Sequence, residues 1–177
     1  MLGSAKQVDE FLAAVFAAEE PALTDNCNFT EALASVLSRW RCPGTIGDAL
    51  DAWTMIEVDP DIANTVRLLR LRGIGCHLAT NQERYRARHM SVTLGYSELF
   101  DREFYSCRLG VMKPDVSYFR AILRELGAEP RDVLFIDDHE TNIEGAREVG
   151  LHVAEFRIDA GADACHRLLG KFGIGVA

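Results

Sequence analysis

No apolar run in the 177-residue chain approaches the roughly 20 residues needed to span a bilayer, which excludes a helical membrane protein. No apolar core of a signal peptide follows Lys6, and the cytoplasm is the expected location. Positive charge is in deficit, with 19 Lys and Arg against 27 Asp and Glu, for a net charge of −8. That balance excludes a nucleic-acid groove, which needs clustered cations to neutralise phosphates. It does not exclude a small phosphorylated substrate. The five cysteines (Cys27, Cys42, Cys76, Cys107, Cys165) include no C-x-x-C pair and no regular spacing. An odd, scattered set implies reduced thiols acting as small apolar fillers, not a disulfide framework or a zinc site. Repeats and low-complexity segments are absent as well.

What is present is an ordinary globular composition, 48% hydrophobic and 26% charged, in a length that suits one domain with a small appendage. Apolar residues recur at helical spacing in Val8, Phe11, Leu12, Val15 and Phe16, again in Leu33, Val36, Leu37 and Trp40, and a shorter helix is expected from Thr45 to Trp53. Trp40 and Trp53 read as core of this helical unit, which spans residues 1–55.

From residue 56 to 177 the pattern changes. Asp59-Pro60-Asp61 opens a helix, with acidic groups at its start and Arg67, Arg70 and Arg72 towards its end, as the helix dipole favours. Ile74–Thr80 reads as a buried strand, followed by a helix from Gln82 to about Leu94, a short strand at Glu103–Ser106 and a helix from Pro114 to Leu126. Asp132–Asp137 is a further strand, then a helix to Val149 and a strand at Leu151–Phe156. Strands alternating with helices of this length predict an α/β fold with a three-layer, Rossmann-like parallel sheet.

In such a sheet, reactive groups gather at the carboxyl ends of the strands. Three segments end there in polar groups: Thr80-Asn81-Gln82, then Lys113-Pro114, then Asp137-Asp138-His139 with Asn142 downstream. Taken singly they are a helix cap, a loop lysine and a strand-end carboxylate pair. Together, a hydroxyl, an ammonium and two carboxylates make a site for a phosphate and Mg²⁺, whose preference is for hard oxygen ligands. His139 is a second candidate proton acceptor, and His77, inside a strand, reads as structural.

In order and spacing, Thr80-Asn81, Lys113-Pro114 and Asp137-Asp138 with Asn142-Ile143-Glu144-Gly145-Ala146 resemble motifs II, III and IV of the haloacid dehalogenase-like superfamily. The likeness runs from about Val58 to Phe156, and residues 1–55 are similar to the family's inserted helical cap. The resemblance implies that Thr80 and Asn81 bind the phosphoryl group, that Lys113 stabilises its charge, and that Asp138 ligates Mg²⁺. Asp137 would lie beside the metal as a catalytic carboxylate, with Asn142 in the second acidic position or its outer shell. An Asn there, where many members have Asp, removes one charge. Dehalogenases share these residues, so the motifs alone do not separate the two chemistries.

The family's nucleophile is the first Asp of an Asp-x-Asp motif after an N-terminal strand, and nothing before Thr80 supplies one. Met1–Ser4 is too short, and Asp59-Pro60-Asp61 reads as a helix cap. The sheet is therefore expected to lack its first, central strand, between those ending at Thr80 and Asp137. Direct pairing of the two strands, another segment or a second copy would close the gap, a homodimer completing the sheet being one such closure. The expected function is Mg²⁺-assisted hydrolysis of a small phosphorylated metabolite by water, without the usual aspartate. The alternative is a catalytically inactive remnant that binds phosphate or a protein.

Overall fold

In a computed structural model, residues 5–176 are described, so the expectation about Met1–Ser4 falls outside them. Three helices come first: α1 (Ala5–Glu19), α2 (Phe29–Arg39) and α3 (Ile46–Trp53), with a 3-10 turn at Glu20–Thr24. Each later start has a capping side chain. Asn28 accepts from Thr30 N and Glu31 N, and Thr45 forms a reciprocal capping box with Asp48. Val15, Ala22, Phe29, Leu33, Val36 and Leu50 form a core of their own, against which Trp40 and Trp53 pack. Only part of the apolar periodicity of α1 is used, since Val15 is buried while Val8, Leu12 and Phe16 stay exposed.

The remaining elements are α4 (Pro60–Leu71), β1 (His77–Thr80), α5 (Arg84–Arg88), α6 (Tyr96–Leu99), β2 (Arg102–Tyr105), α7 (Ser106–Leu109), α8 (Val116–Leu126), β3 (Leu134–Asp137), α9 (Glu140–Glu148), β4 (His152–Glu155) and α10 (Ala162–Gly170). Both pairings are parallel, β1 with β2 and β3 with β4. Alternate residues of β3 enter opposite clusters. Phe135 joins Tyr118, Phe119 and Ile143 of α8 and α9, whereas Leu134 and Ile136 meet Leu69 of α4 and Cys165 and Leu169 of α10. Helices thus cover both faces, as a parallel sheet requires.

Among the described residues the strands form two separate two-stranded sheets, and β1 does not pair with β3. Direct pairing of the strands ending at Thr80 and Asp137 is therefore not how the gap is bridged. The halves are joined instead by a shared apolar cluster containing Phe104 of β2 and Phe135 of β3.

Several boundaries differ from the sequence pattern for local reasons. The strand expected from Ile74 starts at His77, because Cys76 N donates to the Asp101 carboxylate and Asp101 N to Cys76 O. The helix expected from Gln82 to Leu94 starts after Glu83, whose carboxylate accepts from Tyr85 N and Arg86 N, and it becomes a π-helical turn at His89–Thr93. Pro114 does not lie in the first turn of α8: the Lys113–Pro114 peptide is cis and Asp115 is the N-cap. The helix α10 was not evident from the sequence. The five cysteines are free, and Cys107 and Cys165 are buried, but Cys27 is exposed and fills no core. No helix among the described residues is long and apolar enough to cross a membrane.

Candidate active site

The carboxyl ends of β1 and β3 meet at Lys113. Its ammonium donates to the Ala79 carbonyl of β1 at 3.0 Å and to Asp137 Oδ2 of β3 at 2.6 Å. The two side chains are only 10% and 6% exposed, so this pair is largely withdrawn from water. Phe135 places its ring 5.6 Å from the same ammonium. The backbone of Lys113 is held too. Asn81 Nδ2 donates to Lys113 O at 2.8 Å, and Lys113 N donates to Asn81 Oδ1 at 2.9 Å, an amide clamp that fixes the loop to the end of β1.

The second oxygen of Asp137 accepts from His139 N and from Asn142 Nδ2, both at 2.9 Å. Burial alone would raise its pKa, but the hydrogen bonds from Lys113 and Asn142, the lysine charge and the His139 amide together hold it below the usual carboxylate value. Asn142 is buried and commits its amide nitrogen to Asp137. In this arrangement its amide nitrogen orients the Asp137 carboxylate. Asp138 differs sharply from its neighbour: it is exposed and has no hydrogen-bond partner among the described residues, and its charge helps to raise the pKa of Arg157 behind the larger effect of Asp159.

Thr80 closes β1, and its hydroxyl oxygen accepts from Gln82 Nε2 at 3.4 Å. The loop after it is pinned by Ser106, whose Oγ accepts from Gln82 N at 3.0 Å. The structure therefore brings Asn81, Lys113, Asp137 and Asn142 into one hydrogen-bonded group, with Thr80 at its β1 edge and Asp138 at its solvent edge. His139 is exposed. His77 faces the Phe104 ring edge-on, and burial, partly opposed by Asp101, pushes its pKa down, in keeping with a structural role. Asp59 accepts from Asp61 N and Ile62 N, the capping role read from the sequence.

Two contributors were given no role of their own in the sequence, Gly145 entering only as part of the motif after Asp137-Asp138 and Glu83 not at all. A Cβ on Gly145 would lie 2.2 Å from Pro114 O, so only glycine lets α9 lie this close to the lysine loop. Glu83, 1% exposed, accepts from Trp53 Nε1 at 3.2 Å and so ties the helical unit to the end of the β1 loop. A small residue in a helix and an acid among arginines are both common, and neither carries a sequence signal for such contacts.

No group of three or more His, Cys, Asp or Glu side chains with metal-binding geometry occurs among the described residues. Mg²⁺ does not demand one. It is commonly held by one or two carboxylates, with waters and substrate phosphate completing six oxygens. The free carboxylate of Asp138 beside the pinned Asp137 suits that sparse coordination.

A family model described as haloacid dehalogenase-like hydrolase matches residues 3–150. Among solved structures, a HAD-like family hydrolase from Porphyromonas gingivalis superposes with a TM-score of 0.71 at 22% identity, over 95% of this chain and 85% of that one. A HAD family enzyme from Bacteroides thetaiotaomicron, in complex with magnesium and inorganic phosphate, gives 0.69 at 21% identity over 86% and 80%. Flavin mononucleotide hydrolase 1 of Arabidopsis thaliana is 38% identical over 74 residues, 42% of this chain and 29% of that protein. A sesquiterpene phosphatase of Aspergillus oryzae is 26% identical over 99 residues, 54% of this chain and 49% of that protein. The chain thus spans half or less of the length of these two curated relatives.

Proposed function

We propose, given that this chain belongs to the haloacid dehalogenase-like hydrolase family, that it is a phosphatase acting on a small phosphorylated metabolite with Mg²⁺. The observation that carries the reading is the position of Lys113, fixed between Ala79 O and Asp137 at the joined ends of β1 and β3, with an unpaired carboxylate one residue away. A buried ammonium placed in advance stabilises charge developing on a phosphoryl group more than a mobile one does. Phosphatases of flavin mononucleotide and of sesquiterpene phosphates among the relatives support phosphate-ester chemistry.

In this reading Thr80 donates its hydroxyl proton to a phosphoryl oxygen, since Gln82 donates to the hydroxyl oxygen and leaves its hydrogen free. Asn81 holds Lys113 in register, and Lys113 offsets the phosphoryl charge. Asp138, with Asp137 beside it, holds Mg²⁺, and Asn142 keeps Asp137 oriented. The metal would supply a second positive charge at the phosphoryl oxygens. Water is the attacking group, its proton passing to His139 and on to the oxygen of the departing alcohol, because three donors already engage Asp137. That same saturation favours one alternative, a phosphate- or protein-binding module without turnover. A cytoplasmic location belongs to the same proposal, as does a homodimer. Among the described residues β1 and β3 each keep an edge without a ladder, and a strand from a second copy would complete the sheet.

The test is release of phosphate from an aryl phosphate. The expected result is turnover that requires Mg²⁺, stops with chelator and is lost in Asp138→Ala. Phosphate binding without turnover would establish the binding module instead. Turnover indifferent to chelator and to Asp138→Ala would overturn the site.

A further inference from the structure

The loop that carries Lys113 also borders an open hollow that bears on the alcohol half of the ester. A hollow of about 290 Å³ lies between Thr24, at the end of the 3-10 turn in the helical unit, and the segment Gly110–Asp115. Lys113 belongs to both the hollow and the phosphate site. The volume is at the lower end of the range for small-molecule sites, enough for about ten water-sized groups.

Most polar side-chain groups around this hollow are already engaged, the second oxygen of the exposed Asp115 carboxylate excepted. The Thr24 hydroxyl accepts from Asn26 Nδ2 at 2.8 Å and is directed at Pro21 O. Asp115 Oδ1 accepts from Ser117 N at 2.8 Å as the cap of α8. Both backbone groups of Lys113 are taken by Asn81, and its ammonium by Ala79 O and Asp137. What remains to face a ligand is, apart from the Asp115 carboxylate at the rim, the apolar surface of Val111, Met112 and Pro114. A hydroxylated alcohol entering here would give up hydrogen bonds to water and find few replacements, at a net cost. A hydrocarbon would lose nothing and gain burial.

Resting on the phosphatase reading above, we infer that the protein selects phosphate esters of apolar, non-hydroxylated alcohols, and that Val111, Met112 and Pro114 determine this specificity. The phosphoryl group sits at Lys113 and the hydrocarbon runs into the hollow against the Thr24 turn. These three residues take no part in the chemistry; they decide which ester reaches it.

Calorimetric binding with Mg²⁺ present tests this without relying on turnover. The probes are inorganic phosphate, then methyl-, butyl- and hexylphosphonate, then propylphosphonate against its dihydroxypropyl analogue. Each methylene seated in the hollow is expected to tighten binding about fourfold until the cavity is full. The dihydroxy compound is expected to bind at least tenfold more weakly than propylphosphonate. In Met112→Gln and Val111→Thr, which keep side-chain size, the dependence on chain length should flatten while inorganic phosphate binds as before. Phosphate bound normally with a flat alkyl series in the unaltered protein would overturn this inference alone. A chain-length dependence that survives both substitutions would overturn the assignment to this hollow. Failure to bind inorganic phosphate would overturn the phosphatase reading, and this inference with it.

Discussion

Lys113 Nζ and Asp137 Oδ2 stand 2.6 Å apart across the gap between two half-sheets that share no ladder. The pair joins two parts of the fold as well as the candidate site. Taking one partner away leaves an unpaired charge in a site with little water, which typically costs about 3–5 kcal/mol. Lys113→Met and Asp137→Leu are each expected to destabilise by about that much in urea unfolding. The double variant should cost clearly less than the sum, so that the coupling energy from the cycle is the readout. Since Asp137 is held below its unfolded value, its contribution is present above about pH 4 and is lost as pH falls through the folded value. Additive single effects would show that the contact contributes nothing.

Asp138 and Asp59 should behave in opposite ways. Asp138 is exposed and unpaired, so Asp138→Ala should alter stability by less than about 0.5 kcal/mol while abolishing Mg²⁺-dependent phosphate release. Asp59 caps α4 through Asp61 N and Ile62 N, so Asp59→Ala should cost about 1 kcal/mol and leave turnover intact. Paired thermal melts and phosphate assays separate the two, and loss of activity in Asp59→Ala would show that Asp59 does more than cap a helix.

Gly145→Ala introduces a methyl 2.2 Å from Pro114 O, where backbone, not a flexible side chain, must move. We expect destabilisation of about 1–3 kcal/mol. Turnover should fall further than stability alone explains, because the displaced loop carries Lys113. Unchanged melting and turnover would mean that α9 yields freely.

Glu19, half-buried at the end of α1, has its pKa raised from 4.5 to about 7 by burial first and by the nearby Glu83 charge, partly offset by Arg86. A raised acid favours the protonated folded state. Its stabilisation is complete below about pH 4.5 and fades as pH rises towards 7. Allowing for screening by water, the loss should be about 1 kcal/mol. Urea midpoints at pH 5 and pH 8 would show it, and Glu19→Gln should flatten the profile.

The proposed homodimer would use the edges of β1 and β3 that carry no ladder among the described residues. Size-exclusion chromatography with light scattering is expected to give a dimer at micromolar concentration. A monomer across the concentration range would remove the second copy as the completion of the sheet.

Much was legible in the sequence because it depends on local chemistry. The helix starts at Asn28, Thr45 and Asp59 follow from short polar side chains that satisfy free backbone N–H groups a few residues on. The strands ending in Thr80 and Asp137 follow from short apolar runs stopped by polar groups, and the order of three motifs was enough to identify the family.

What only the tertiary structure decided involves partners distant in the chain. Nothing in the sequence told the two adjacent aspartates apart. Asp137 has three donors, from Lys113, His139 and Asn142, whereas Asp138 points to solvent, because successive residues at a strand end face different ways. The split of the sheet, the closeness of Gly145 to Pro114 O and the engagement of most polar side chains around the hollow are likewise properties of packing. They arise when segments far apart along the chain compete for the same space and the same hydrogen-bond partners, and no local pattern records the outcome.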